Sequence, residues 1–147
     1  MLTIMSRPRQ QPIGLALAAT AKRVGRAFDD ALVEAGGSRP TWLILLALKT
    51  QPPQTQRELA AAVGIEGATL THHLDAMQRA GLVTRERPPE NRRVQRIEVT
   101  AEGERLFLLL RAAARHFNTR IRAGLSDEDI ERLRELLATL EANSAAP

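Results

Sequence analysis

The 147-residue sequence has no cysteine and few aromatic side chains, which are three phenylalanines and one tryptophan. The absence of cysteine excludes disulfides, thiolate zinc sites and cysteine-based redox sensing. No apolar run reaches the length of a membrane span, and residues 1–12 lack the apolar core of a signal peptide. We therefore expect no membrane partner, a cytoplasmic location and a loose basic arm over residues 1–12.

Signatures of catalysis are also missing from the sequence. It contains no glycine-rich phosphate loop, no pair of carboxylates in an apolar setting and no activated nucleophile. Of the three histidines, His72 and His73 are neighbours that would diverge on a helix, and His116 falls on a different predicted element. The sequence therefore predicts a protein without catalytic activity, cofactor or metal ion.

The positive charge is nearly all arginine and is unevenly placed. Lys22 and Lys49 are the only lysines among 21 basic residues, and the formal net charge is +4. A genome whose base composition favours arginine codons would account for a large share of that count, so placement is more informative than number. Residues 79–96 carry six arginines against two glutamates, whereas residues 126–143 carry six acidic side chains against two arginines. Such a division is expected of a protein that presents one face to a polyanion.

Apolar periodicity and capping residues predict a mainly α protein with a small β-wing. Helices are predicted over residues 13–35, over TWLILLALKT with Ser38 as its cap, and over QRELAAAV with Thr55 as the cap of a capping box. Three more are predicted from about 67 to 80, from 101 to about 124 after the cap Thr100, and over IERLRELLATLEAN after a box-like cap of Ser126 and Asp129. The second of these six helices is apolar nearly all round and should be buried. Between the fourth and fifth helices, LVTRER and VQRIEV are predicted to be short strands joined by PPENRR. We call this joining segment, residues 88–93, the wing tip.

This order of elements is that of a winged helix-turn-helix. Residues 38–100 contain a short helix, a glycine-bounded turn, a second helix and a hairpin with a basic tip. In such modules the second helix enters the major groove of DNA, and the hairpin lies beside it on the backbone or in the minor groove. Contact with phosphate groups would explain why the wing is rich in arginine.

The predicted DNA contacts follow from the sides of these elements. Leu70, Leu74 and Met77 form the apolar face of the second helix, so its first turn and opposite side should meet the bases. The candidate contacts are Ala68, Thr69, Thr71, His72, His73 and Arg79 on this helix, with Asn91, Arg92 and Arg93 at the wing tip. His72 is favoured over His73 because it points away from the apolar face. For Arg85, Arg87 and Arg96, DNA contact and a merely solvated strand face are equally favoured.

Residues 55–106 resemble the core of the MarR family of transcription regulators. The matching pieces are LAAAVG, LDAMQRAGLV, the Arg92-Arg93 pair and VTAEG, which are specific as a set. The resemblance implies a winged helix-turn-helix plus long dimerisation helices. The first dimerisation helix would span residues 13–37, the DNA-binding lobe 38–100, and the C-terminal dimerisation helices 101–147. The family usually has an aspartate before the arginine pair. Asn91 stands there and supplies no charge attraction, so Arg93 is expected to be more mobile.

The resemblance also implies a function. The chain is expected to be a homodimeric, sequence-specific regulator of transcription, most often a repressor in families of this type, that binds a near-palindromic site in double-stranded DNA. Release by a small phenolic or aromatic ligand is expected, with Phe28 and Trp42 as candidate ligand contacts, although core packing at the dimer junction fits them better. The alternative is a winged-helix interaction or architectural module that binds protein, or binds DNA without sequence preference and without an effector.

Overall fold

The computed structural model describes residues 11–53 and 55–145, which form six helices and one two-stranded antiparallel sheet. The elements in chain order are α1 (Ile13–Glu34), α2 (Arg39–Thr50), α3 (Gln56–Val63), α4 (Gly67–Arg79), β1 (Val83–Glu86), β2 (Arg96–Val99), α5 (Ala101–Ile121) and α6 (Asp127–Ser144). The predicted mainly α fold with a small β-wing is confirmed. Residues 1–10 of the predicted basic arm lie outside the described residues.

Side-chain caps fix where four of the helices begin. The hydroxyl oxygens of Ser38, Thr55 and Thr100 each accept a hydrogen bond from the backbone N–H three residues further on. At the start of α6, Ser126 and Asp129 form the reciprocal capping box. The backbone N–H of Ser126 donates to Asp129 Oδ2 at 2.8 Å, and this bond lowers the pKa of the Asp129 carboxyl. These starts agree with the sequence prediction.

The hairpin is shorter than the sequence predicted. In the observed register Val83 pairs with Val99 and Glu86 pairs with Arg96. The N–H of Val94 donates to the carbonyl of Asn91 at 3.2 Å, so the chain is still turning where the second strand was expected to start. The segment between the two strands is therefore longer than PPENRR and includes Arg87, Val94 and Gln95.

The main core is centred on α2, which contributes Trp42, Ile44, Leu45 and Leu48 as buried side chains. The expectation that this nearly all-apolar helix is buried is confirmed. The other buried members come from α1, α3, α4, β1 and α5: Leu32, Leu59, Leu70, Leu74, Met77, Val83, Phe107 and Leu110. Since α4 and β1 share this core with α2, the helix-turn-helix and the wing belong to one packed lobe.

The junction between the wing and α5 has no room for a side chain at Gly103. A Cβ placed on Gly103 would lie 2.2 Å from the carbonyl oxygen of Leu82 and 2.7 Å from Val99 Cγ1. That same carbonyl accepts the backbone N–H of Thr100 at 3.0 Å. A glycine is thus required where the first turn of α5 lies against the backbone that enters β1.

The outer helices leave apolar side chains uncovered in the single chain. No residue of α6 is buried, and Leu133, Leu136 and Leu137 expose 47%, 46% and 39% of their surface. Together with Ile13 and Leu17 of α1 they line a groove of about 460 Å³, which we call the α1–α6 groove. Among the described residues, no helix is long and apolar enough to cross a membrane.

Candidate nucleic-acid interface

The outer side of α4 carries the predicted base contacts in exposed positions. Leu70, Leu74 and Met77 turn into the core, as predicted from their spacing. Five of the candidate residues are exposed: Ala68, Thr69, Thr71, His72 and Arg79. His73 is half-buried, and its ring lies 6.1 Å from that of His72. The structure therefore brings these residues onto one accessible helix surface, with His72 the more accessible of the two histidines.

The hydroxyl of Thr71 is bonded within the protein. Thr71 Oγ1 donates to the carbonyl of Gly67 one turn earlier, at 3.0 Å, and accepts a hydrogen bond from Gln56 Nε2. Gln56 is the first residue of α3, fifteen positions before Thr71. Nothing in the sequence singles out Gln56, because its contact with Thr71 forms only when α3 packs against α4.

Arg85 of β1 links the wing to α4. Its Nη2 forms an ion pair with Asp75, and its Nε donates to Gln78 Oε1 at 2.8 Å. Only 17% of the Arg85 side-chain surface is exposed to solvent, because the side chain lies on the inner face of the hairpin. Arg85 is therefore paired with α4 and is not part of a merely solvated strand face, whereas DNA contact by Arg85 stays a prediction. The alternation of side chains along a strand predicts this inward position, since Arg85 lies two residues from buried Val83 and therefore on the same face.

The wing tip presents Arg92 and Arg93 as exposed side chains on a turn held by Asn91. The Asn91 side-chain oxygen accepts the backbone N–H of Arg93 at 3.1 Å, and the Asn91 N–H donates to the carbonyl of Pro88, also at 3.1 Å. Asn91 thus fixes the backbone of the tip, a role separate from the loss of charge attraction to the Arg93 guanidinium that the resemblance implies. Its assignment as a DNA contact remains a prediction.

The two candidate ligand contacts both pack against other aromatic rings. Trp42 is buried and stacks on Phe107, with ring centroids 5.5 Å apart and planes 17° apart. Phe28 is half-buried, 5.2 Å from the ring of Phe117. These contacts fit the core interpretation, and a role in ligand binding stays a prediction. Within the described chain, no three histidine or acidic side chains converge to hold a metal ion.

Several solved transcription regulators are similar to this chain in both sequence and fold. The sequence model of the MarR family matches residues 38–94. The transcriptional regulator PA3341 is 32% identical, with 90% of this chain and 97% of that one covered and a TM-score of 0.72. The M. tuberculosis transcriptional regulator MosR, solved in complex with DNA, is 29% identical over 92% and 98% of the two chains, with a TM-score of 0.70. CouR from Rhodococcus jostii RHA1, bound to p-coumaroyl-CoA, is 28% identical over 92% and 95%, with a TM-score of 0.71.

Proposed function

Because this chain belongs to the MarR family of non-enzymatic, DNA-binding transcription regulators, we propose that it is a homodimeric repressor of a near-palindromic site, released by a small aromatic ligand. The observation that carries the proposal is that Arg85 bonds the hairpin, which bears the arginine wing tip, to α4, which bears the exposed candidate base contacts. A regulator of this kind acts where the DNA is, which supports the expected cytoplasmic location.

The contacts divide into two roles. The side chains of α4 would enter the major groove and select bases, whereas Arg92 and Arg93 would hold phosphates or the minor groove without reading sequence. Helix-turn-helix dimers place their two reading helices about 34 Å apart, one turn of the duplex, and therefore bind sites with two-fold symmetry. Residues 38–100 would form the reading lobe in each copy.

Uncovered apolar surface on the outer helices supports a second copy of the chain. Beyond the α1–α6 groove, Leu108 and Leu109 of α5 expose 50% and 57% of their surface, although Phe107 and Leu110 beside them are buried. Exposed apolar side chains that gather on the surface of a soluble chain commonly mark an interaction site. Interleaving of residues 13–37 and 101–147 from two chains would cover these side chains, in accordance with the division predicted from the resemblance.

The test of sequence-specific repression compares two duplexes of equal length. We expect the full chain to bind the region upstream of its own gene at least about a thousandfold more tightly than a shuffled duplex at physiological salt, the usual range for specific regulators. Sedimentation of the complex should give two chains for each site. Equal affinity for the two duplexes would favour the architectural alternative over a sequence-specific regulator.

Two matched variants of α6 control for the role of dimerisation. Leu133→Glu places a carboxylate in the α1–α6 groove and should yield monomers with strongly reduced affinity for the site, since burying an unpaired charge is costly. Ala138→Glu adds the same charge at a position of the same helix that does not line the α1–α6 groove, and should leave both dimer and affinity unchanged. A Leu133→Glu variant that remains dimeric would contradict the proposed interface.

An aromatic effector should stabilise the protein and weaken its binding to DNA. CouR supports this class of ligand, so p-coumaroyl-CoA is the first probe, with p-coumarate and free coenzyme A as separate arms. At a hundred times its dissociation constant, a ligand should raise the melting temperature by about 5–10 °C. It can release DNA only if it prefers the conformation that does not bind DNA. A stabilising probe that leaves DNA affinity unchanged would contradict effector control by that ligand.

A further inference from the structure

The proton of the Thr71 hydroxyl is unavailable to DNA in this structure. A threonine hydroxyl has one proton to donate and two lone pairs to accept with. The proton goes to the carbonyl of Gly67 at 3.0 Å, and one lone pair accepts from Gln56 Nε2. A contact in which Thr71 donates to a phosphate or to a base nitrogen would therefore have to break the bond within α4.

These two hydrogen bonds also select the rotamer of Thr71. Threonine in a helix divides between two χ1 positions, one of which places Oγ1 against the carbonyl of the preceding turn. In this chain Oγ1 is bonded both to Gly67 and to the side chain at the start of α3, so that position is fixed. Thr71 is nevertheless exposed. With the proton and one lone pair of its oxygen already bonded within the protein, the methyl group and a single lone pair are left for a partner.

We propose that Thr71 determines specificity by recognising a thymine through methyl–methyl contact, and that Gln56 positions it for this contact. The proposal rests on the proposed function, in which α4 enters the major groove. Thymine is the one base that carries a methyl group on its major-groove edge. Cytosine lacks that methyl, and guanine presents only acceptors, to which the bonded hydroxyl has no proton to give. The amino groups of adenine and cytosine could reach only the one remaining lone pair of Thr71, whereas the methyl contact is selective for thymine.

The test begins with the sequence that the wild-type dimer enriches from a randomised duplex pool. Thr71→Val keeps the methyl and removes the hydroxyl, whereas Thr71→Ser keeps the hydroxyl and removes the methyl. Thr71→Val should bind the enriched site within about twofold of wild type, because Gln56 at the surface can bond to water instead. Thr71→Ser should bind about fourfold more weakly for each half-site, the value of one buried methyl group. Valine and serine have helix propensities close to that of threonine, and thermal melts check that both variants fold.

Deoxyuridine separates this contact from a general effect on the fold. Each thymine of the enriched site is replaced in turn by deoxyuridine, which lacks only the methyl group. At one thymine in each half-site, wild type and Thr71→Val should lose about fourfold in affinity, and Thr71→Ser should lose nothing further. A purely structural role of Thr71 would leave the penalty for deoxyuridine the same in all three proteins.

Gln56→Ala tests the positioning role of the glutamine. This variant leaves only the bond to Gly67 to hold Oγ1, so Thr71 can also occupy its other χ1 position, which moves the methyl group. Its discrimination between thymine and deoxyuridine should therefore fall below about twofold. Three results would overturn the inference alone: a Thr71→Val loss as large as that of Thr71→Ser, a deoxyuridine penalty retained by Thr71→Ser, or full discrimination by Gln56→Ala. Failure of the wild type to enrich any sequence would overturn the proposed function as well.

Discussion

Replacing Arg92 and Arg93 together with alanine should lower the affinity for duplex DNA by two to three orders of magnitude near 0.15 M salt. With two arginines replaced in each chain, the proposed dimer would lose four phosphate contacts. Each contact contributes about 0.9 to the slope of the logarithm of affinity against the logarithm of salt concentration, so the slope should fall by about 3.6. Titrations of fluorescent duplex at four or more salt concentrations measure both quantities. The loss should be the same for specific and shuffled sequences, because phosphate contacts carry no base information.

The wing tip is suited to this experiment because its shape does not depend on the two guanidinium groups. The turn is held by the side-chain oxygen of Asn91, which accepts the Arg93 backbone N–H, and by the bond from the Asn91 N–H to Pro88. Both bonds survive alanine substitution at 92 and 93. A loss of affinity in the double variant can therefore be assigned to the missing charges.

The matched control removes two arginines from the acidic end of the molecule. Arg132 and Arg134 are exposed on α6 and form ion pairs with Glu135 and Glu131 of the same helix. The Arg132→Ala, Arg134→Ala variant carries the same net charge as the tip variant, and its salt slope should equal that of wild type. Equal losses in the two variants would show that net charge governs binding. An unchanged slope in the tip variant would remove Arg92 and Arg93 from the DNA surface.

Substitution of Gly103 by alanine should lower the free energy of unfolding by about 3 kcal/mol or more, the upper end of what overpacking costs. The added Cβ would lie 2.2 Å from a backbone oxygen, that of Leu82, which no side-chain rotation can relieve. That oxygen is held by the N–H of Thr100, so moving it away would break a hydrogen bond at the start of α5. Urea denaturation at a fixed protein concentration measures the change.

Gly14 provides the control for this substitution. It also lies in a helix, α1, but a Cβ there would have no atom within 4 Å. Gly14→Ala should raise the stability by up to about 1 kcal/mol, since alanine is the better helix former. Opposite signs at the two glycines would identify close packing at the wing junction as the cause. A Gly103→Ala protein as stable as wild type would contradict the approach of α5 to the strand.

The features that the sequence predicts well are those set by neighbouring residues. Helix starts at Ser38, Thr55, Thr100 and Ser126 depend on a cap and the N–H three residues later, so the local sequence suffices to predict them. Burial of one face of α4 follows from spacing within the helix. The exposure of the wing-tip arginines follows from their place in a turn between strands.

The contacts that the sequence could not predict join residues of different elements. The bond between Gln56 and Thr71 and the link from Arg85 to Asp75 depend on how α3 and β1 pack on α4. Gly103 is locally unfavourable in the first turn of a helix, and only the position of the Leu82 carbonyl explains it. The Gln56–Thr71 bond, the Arg85–Asp75 ion pair and the glycine at 103 all depend on how the elements pack, and the order of elements along the chain does not determine that packing.

The hydrogen bonds of Arg85 have a consequence for how control could reach the DNA. The guanidinium of Arg85 bonds to both Asp75 and Gln78, and these bonds restrain the angle between the hairpin and α4. In the proposed dimer, a signal from the outer helices would then act on the separation and tilt of the two lobes. The number of base pairs between half-sites would be the quantity on which regulation operates.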